Sequence, residues 1–246
     1  MATPSALDLL WGAPQRPRRG PKPSLSLERI VTEAIALADA EGLASLSMQH
    51  LAERLGCAKM ALYRYVPGKT ELVALMVDAA IGDPPPPAEP AGPGEPAWPA
   101  VLREWATTIF GRYRAHPWSI EATTGARPTG PHEVAWLESA LTALAGTGLT
   151  GAERLDAVVL LNGHVRSLVQ VTAAGQEDLE GEVARQIGTA LSAHADRYPQ
   201  VVAAFADGPG PAGRDNALNF GIDRILDGLA VLIAERAAGP PPDRGR

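Results

Sequence analysis

The sequence predicts an all-α fold, and three observations carry that expectation. Apolar residues recur at three- and four-residue intervals along most of the chain. No strand-length run alternates apolar and polar residues at period two. Serine, glycine and proline stand where helices of ordinary length must start and stop. The expected architecture is an N-terminal three-helix helix-turn-helix module followed by a larger helical domain.

In chain order, residues 1–24 hold R-P-R-R-G-P-K-P, too rich in proline and charge to fold alone, and are expected to form a disordered basic arm. Leu27, Ile30, Val31, Ala34, Ile35 and Ala38 mark a first helix, capped by Ser26 and stopped at Gly42. Ser47 caps a second helix in which Leu51 and Leu55 share a face. Gly56 can take the positive φ that ends this helix and turns the chain. A short helix follows from Ala58 to about Tyr65, with Leu62 pointing inward, and another runs over 69–81. A helix, a glycine turn and a second helix make a helix-turn-helix, whose second helix fits the DNA major groove.

Residues 25–81 are therefore assigned to a DNA-binding domain, and 82–97 to a linker. Eight prolines within 82–99 favour a semi-rigid, extended spacer. Residues 98–237 form the second domain, with helices expected over 98–115, 118–126, 131–146, 151–174, 180–195, 199–206 and 214–237. His116-Pro117 and Arg127-Pro128 mark breaks, because the residue before proline resists the α conformation. Residues 238–246 are expected to be a disordered tail.

Charge divides the chain in the same way. Residues 1–70 carry nine Lys/Arg against six Asp/Glu, whereas the whole chain is −6. All three lysines, Lys22, Lys59 and Lys69, lie in this basic segment. A basic module on an acidic body is the asymmetry expected when one end meets phosphate.

The run from Ile30 to Leu75 resembles the tetracycline-repressor (TetR) family: A-L-A-D-A-E-G-L in the first helix, L-A-E-R-L-G in the second, A-L-Y-R-Y-V in the third and K-T-E-L after it. W-P-A-V-L-R-E-W, H-P-W, G-A-R-P and F-G-I-D-R-I-L-D-G-L resemble the subgroup with a tetracycline-repressor-like C-terminal domain. The resemblance implies a two-domain homodimer that binds a palindromic double-stranded DNA operator and releases it when a small molecule binds the C-terminal domain. It implies a base-reading surface of Ala58, Lys59, Met60 and Ala61. Thr123 stands where the tetracycline repressor has its metal–drug histidine, and Ala126 where it has a threonine. The effector expected here is accordingly not a metal-bound tetracycline, and no cofactor is expected.

The remaining site assignments follow from residue chemistry. Tyr63, Arg64, Tyr65 and Lys69 are candidates for phosphate contacts, with Ser47 and Gln49 at the start of the preceding helix. Lys59 could donate to guanine. Trp105, Phe110, Tyr113, Trp118 and Trp136 give an aromatic cluster, and Asn162, His164 and Arg166 interrupt an otherwise apolar helix. An apolar cavity with a few polar anchors is how a small-molecule site is built, so these eight are the candidate effector residues. Leu218, Ile222, Ile225 and Leu229 step by 4, 3 and 4, a heptad-like seam; with Leu155 and Val159 they are the candidate dimer interface, the alternative being a helix pair internal to one chain.

Other classes find little support. The five histidines show no metal spacing, and no nucleophile elbow, phosphate loop or dinucleotide fingerprint is present. No run of about 20 apolar residues could span a membrane. The single cysteine, Cys57, excludes an internal disulfide and fits a reducing, cytoplasmic setting. Two alternatives to an effector-released repressor stay open: an architectural DNA binder with no effector, and a small-molecule enzyme with a DNA-binding appendage.

Overall fold

The computed structural model describes residues 5–12, 25–87, 92, 96–125, 127–172, 186, 188–189, 195–206 and 216–238. Among these, regular structure is entirely helical. The contacts gather the chain into two compact units, residues 1–146 and 147–246.

The first unit contains α1 (Ala6–Trp11), α2 (Leu27–Glu41), a 3₁₀ turn (Leu43–Ser45), α3 (Met48–Leu55), α4 (Lys59–Leu62), α5 (Lys69–Ile81), α6 (Trp98–Ala115), α7 (Trp118–Ala122) and α8 (Pro131–Ala143). The second contains α9 (Gly151–Thr172), a 3₁₀ turn (Ala195–Arg197), α10 (Pro199–Ala206) and α11 (Asn216–Ala238). The helix expected over 180–195 lies outside the described residues except for helical Gln186, Gly188 and Thr189, and for Ala195, which opens the 3₁₀ turn. The expected tail lies outside them after Ala238.

Capping sets most boundaries. Ser26 and Ser47 accept hydrogen bonds from Arg29 N and His50 N, as N-cap serines should. Gly56 sits in the left-handed region at φ 65°, ψ 36°. Its N–H donates to Glu53 O, and Cys57 N–H donates to Ala52 O, which completes a Schellman cap. The recognition helix α4 is shorter than expected, and Tyr63–Tyr65 form a turn. Val66 precedes Pro67 and cannot keep a helical conformation comfortably, so the chain unwinds early. α7 also ends early, at Ala122, with the Thr123 and Thr124 hydroxyls donating to the carbonyls of Ile120 and Glu121.

Two differences from the sequence expectation bear on function. The N-terminal segment is not wholly irregular: Ser5 caps α1 in a reciprocal pair with Asp8, and Leu10 packs into the core. The rest of the arm, 13–24, lies outside the described residues. Second, the contacts do not part at the proline-rich linker. α5 packs against α2 on one side and against α6, α7 and α8 on the other, so the helices after the linker group with the helix-turn-helix.

One continuous core joins these parts. Ile30, Ala34 and Leu37 of α2, Leu51 of α3, Leu62 of α4 and Leu72 and Met76 of α5 are almost fully buried in it. Trp118 of α7 enters the same cluster. In the second unit, Ala157, Val158, Leu161, Val165 and Val169 are the buried residues of α9, and Leu218, Ile222, Leu226 and Leu229 those of α11. The His164 ring lies against α11 with Nε2 3.2 Å from Leu218 O. A Cβ on Gly221 would stand 2.2 Å from that ring, so only glycine admits it.

Candidate DNA interface and its junction with the following helices

The helix-turn-helix presents a small, mixed surface. Ala58, Lys59 and Met60 are exposed and Ala61 is half-buried, while Leu62 anchors the helix from beneath. Met60 is 72% exposed, an unusual position for a large apolar side chain unless something covers it. The Lys59 ammonium stands 6.0 Å from the centre of the Tyr63 ring, at the edge of cation–π range. Arg64 is exposed.

Four candidate phosphate-binding residues have hydrogen-bond partners within the chain. The Tyr65 hydroxyl donates to Leu25 O at 2.9 Å, which ties the end of the recognition turn to the start of α2. Lys69 Nζ lies 3.4 Å from Leu43 O. Gln49 donates to Glu53 at 2.7 Å, one helical turn on. Ser47 is occupied as a cap, leaving its hydroxyl proton free to donate. Arg54 does not join this surface: it reaches Glu33 at 2.7 Å and Glu41 at 3.7 Å and holds α3 to α2.

The aromatic candidates divide by location. Trp105 and Trp136 contact each other edge to face, ring centres 5.5 Å apart. Trp105 Nε1 donates to Trp136 O (2.9 Å) and Trp136 Nε1 donates to Gly82 O (2.8 Å), so both indoles are satisfied internally. Trp118 is buried in the helix-turn-helix core and donates to Asp39 Oδ1 at 2.7 Å. Phe110 is half-buried with the Arg114 guanidinium 5.7 Å from its ring centre. Tyr113 lines a small cavity with Val77, Ala80 and Ile81 of α5, Arg112 of α6 and Glu133 of α8. Asn162, His164 and Arg166 stand half-buried on α9 in the second unit.

The dimer candidates also divide. Leu218, Ile222 and Leu229 are buried within the single chain. Ile225 is half-buried. Leu155 (44% exposed) and Val159 (70% exposed) remain open, and Leu160, Phe220 and Val231 join them as exposed apolar residues. The seam read from the sequence is therefore used within the chain, and the uncovered apolar surface lies beside it.

Sequence reasoning missed a polar junction inside the first unit. Asp39 of α2 receives Trp118 Nε1 and lies 2.9 Å from His116 Nδ1, so the corner between α6 and α7 is tied to the first helix of the DNA module. Asp78 of α5 is buried. It accepts from His132 N (2.9 Å) and Glu133 N (3.2 Å), and its other oxygen lies 2.8 Å from His132 Nδ1. Arg127 forms a two-pronged pair with Glu133, and Trp11 Nε1 donates to Thr129 O at 3.0 Å. A signal for Asp78 was present: one carboxylate inside L-V-A-L-M-V-D-A-A-I can be tolerated only with partners.

Among the described residues no group of His, Cys, Asp and Glu is arranged to hold a metal ion. No described helix is long and apolar enough to cross a membrane.

A helix-turn-helix with an exposed recognition helix, braced against further helices, defines a DNA-binding regulator. Residues 30–76 match the family model of bacterial regulatory proteins of the tetR family, and residues 89–233 match that of the tetracyclin repressor-like C-terminal domain. The chain belongs to the TetR family of bacterial transcriptional regulators. It is 37% identical to the HTH-type transcriptional repressor DrrR1 of Streptomyces coeruleorubidus, over 96% of this chain and 88% of the relative. Apo ActR from Streptomyces coelicolor superposes with a TM-score of 0.72 at 25% identity, covering 87% of this chain and 99% of ActR. ActR in complex with actinorhodin gives 0.71 at 27% identity, with 86% and 99% covered.

Proposed function

We propose that this regulator is a repressor: a cytoplasmic homodimer that occupies a palindromic operator and leaves it when an organic effector binds. The observation that carries the proposal is the double role of α5. Leu72 and Met76 of this helix sit in the helix-turn-helix core, while Val77, Ala80 and Ile81 wall the cavity that reaches Tyr113 and Glu133. A molecule that enlarges this cavity must displace the helix that supports the recognition helix. DNA affinity falls if the effector prefers the displaced arrangement, and coupling of about 1–3 kcal/mol corresponds to about 5–150-fold. Similarity to a repressor and to an actinorhodin-bound regulator supports the same assignment.

On this proposal residues 25–81 are the DNA-binding domain and 98–237 the effector-binding and dimerisation domain. Ala58, Lys59, Met60 and Ala61 read bases, and Ser47, Gln49, Tyr63, Arg64, Tyr65 and Lys69 position the phosphates. Two recognition helices of a dimer would lie ~34–36 Å apart to reach successive major grooves. Dimerisation uses the exposed faces of α9 and α11, with Leu155, Val159, Leu160, Phe220 and Val231 meeting a second copy.

The test begins with selection of duplexes from a random library by the full-length protein. A palindrome should be enriched. Actinorhodin is the first effector probe, followed by a panel of aromatic natural products, each read by operator release and tryptophan fluorescence together. Enrichment of no sequence would overturn the DNA-binding assignment. Saturating fluorescence changes without operator release across the panel would overturn the effector mechanism.

A further inference from the structure

We infer that Asp78 is the positioning residue that makes α5 and α8 move as one body, and so couples the cavity to the DNA module. The inference rests on the chain being a DNA-binding regulator and adds the residue through which the cavity and the DNA module, both in the first unit, communicate.

Helix α8 has no N-cap side chain of its own; Glu133 accepts only the N-cap amide, Gly130 N, at 3.2 Å, and leaves the first-turn amides without an acceptor on α8. Its N-cap is Gly130, without a side chain, and its first residue is Pro131, without an N–H. The next two amides, His132 N and Glu133 N, both donate to Asp78 Oδ1, so the cap comes from another helix. The carboxylate also meets the positive end of the α8 dipole. Its second oxygen takes the His132 ring. The approach is so close that a Cβ on Gly130 would stand 2.1 Å from Asp78 Oδ1 and 2.2 Å from its Cγ. Glycine is needed here to let the carboxylate in.

The consequence is mechanical. Amide–carboxylate bonds survive only within about half an ångström of their optimum length. If α5 slid relative to α8, two first-turn amides of α8 would lose their acceptor beside a buried carboxylate, which is costly on both sides. Glu133, one of those two residues, lines the cavity, and so do Val77 and Ala80, which flank Asp78 on α5. Both walls of the cavity therefore meet at this cap. α5 in turn starts three residues after Val66, which is fully buried beneath the recognition turn.

The experiment uses hydrogen exchange on the full-length protein, free and bound to the duplex enriched by selection. In the wild type, operator binding should slow exchange in the α8 segment 133–140 by roughly tenfold, although no residue of this helix is among those assigned to DNA contact. Asp78→Asn, which keeps the shape and loses the charge, should still bind the duplex but lose most of that slowing. Gly130→Ala should give the same result by pushing the intact Asp78 out of the cap. His132→Ala removes only the half-exposed ring and should lose a smaller part, which keeps the test decisive if either of the other variants fails to fold. Slowing of wild-type size in the folded variants would overturn the inference, as would its absence in wild-type protein that is bound to the duplex. If no duplex is enriched, the DNA-binding assignment itself fails, and the inference with it.

Discussion

Gly56 lends itself to a quantitative test because the structure separates the causes of its cost. It closes α3 at φ 65°, ψ 36°, and a Cβ added there would meet nothing within 4 Å. Gly56→Ala therefore introduces no clash, and its folded-state cost is the preference of L-residues against the left-handed region, about 1–2 kcal/mol. Alanine also narrows the unfolded ensemble, which offsets up to about 1 kcal/mol. The net loss should be about 1 kcal/mol, or a fall in melting temperature of about 2–4 °C for a chain of this size. Gly56→Asn should lose less, since asparagine visits this region more readily. Operator affinity should fall less than threefold in both, because the Schellman bonds that set the angle between α3 and α4 use backbone atoms only. Thermal unfolding and operator titration measure the two quantities. Equal losses for alanine and asparagine would refute the conformational origin. A large loss of DNA binding at unchanged stability would refute the claim that the turn merely holds geometry.

Other outcomes are expected at the surface. Lys59→Ala should change which duplexes are selected, at ~1–3 kcal/mol for a lost base contact. Lys69→Ala should weaken all duplexes alike and flatten the salt dependence; wild-type binding by both variants would end this assignment. Val159→Glu places a carboxylate at a site 70% exposed in the single chain, so it should leave the fold intact yet drive a dimer apart, as read by sedimentation. In the second unit, the Arg236 guanidinium beside Glu153, together with Thr150 N–H and hydroxyl, holds the Glu153 carboxyl down to about 2 from its ordinary 4.5. A depressed folded-state pKa means the stabilisation is present above about 4.5 and is lost as pH falls toward about 2. Glu153→Gln should flatten that part of the acid-stability curve; an unchanged slope would mean that the pair contributes nothing in solution.

How much of this was legible in the sequence depended on whether a feature is local. Ser26, Ser47, Gly42 and Gly56 act on their own helices, and each stands at the boundary expected for it. Helix 98–115 was legible from its apolar periodicity, and helix 69–81 from the apolar Leu72, Leu75, Met76 and Ala79 that it carries. The recognition helix was overextended because one proline, Pro67, outweighed helix-compatible residues before it. The N-terminal helix was hidden by its neighbours: A-L-D-L-L-W has a capping signal, but the proline- and arginine-rich run behind it dominated the composition. The heptad-like seam of α11 was real as a pattern, yet periodicity does not say whether the partner helix belongs to the same chain. The Asp39 and Asp78 contacts span 77 and 54 residues respectively, and one sequence carries no record of such pairings.

The placement of the tryptophans changes what a fluorescence signal from this protein means. Aromatic residues clustered in sequence are compatible with either a core or a pocket wall, and Trp105, Trp118 and Trp136 each donate their indole N–H to another part of the chain. Trp118 bonds Asp39 of α2, and Trp136 bonds the carbonyl of Gly82 at the end of α5. These indoles therefore brace α6–α8 against both long helices of the DNA module. Their emission reports the state of the braces before it reports contact with a ligand. An effector that releases operator by shifting α5 should alter Trp118 and Trp136 together, even if it touches neither ring. A compound that binds elsewhere on the chain should leave Trp118 unchanged. Single-tryptophan variants retaining Trp118 would separate the two cases. If a releasing compound left Trp118 emission unaltered, the movement would not pass through the α2 brace, and the Asp78 contact would be left as the connection between cavity and recognition helix.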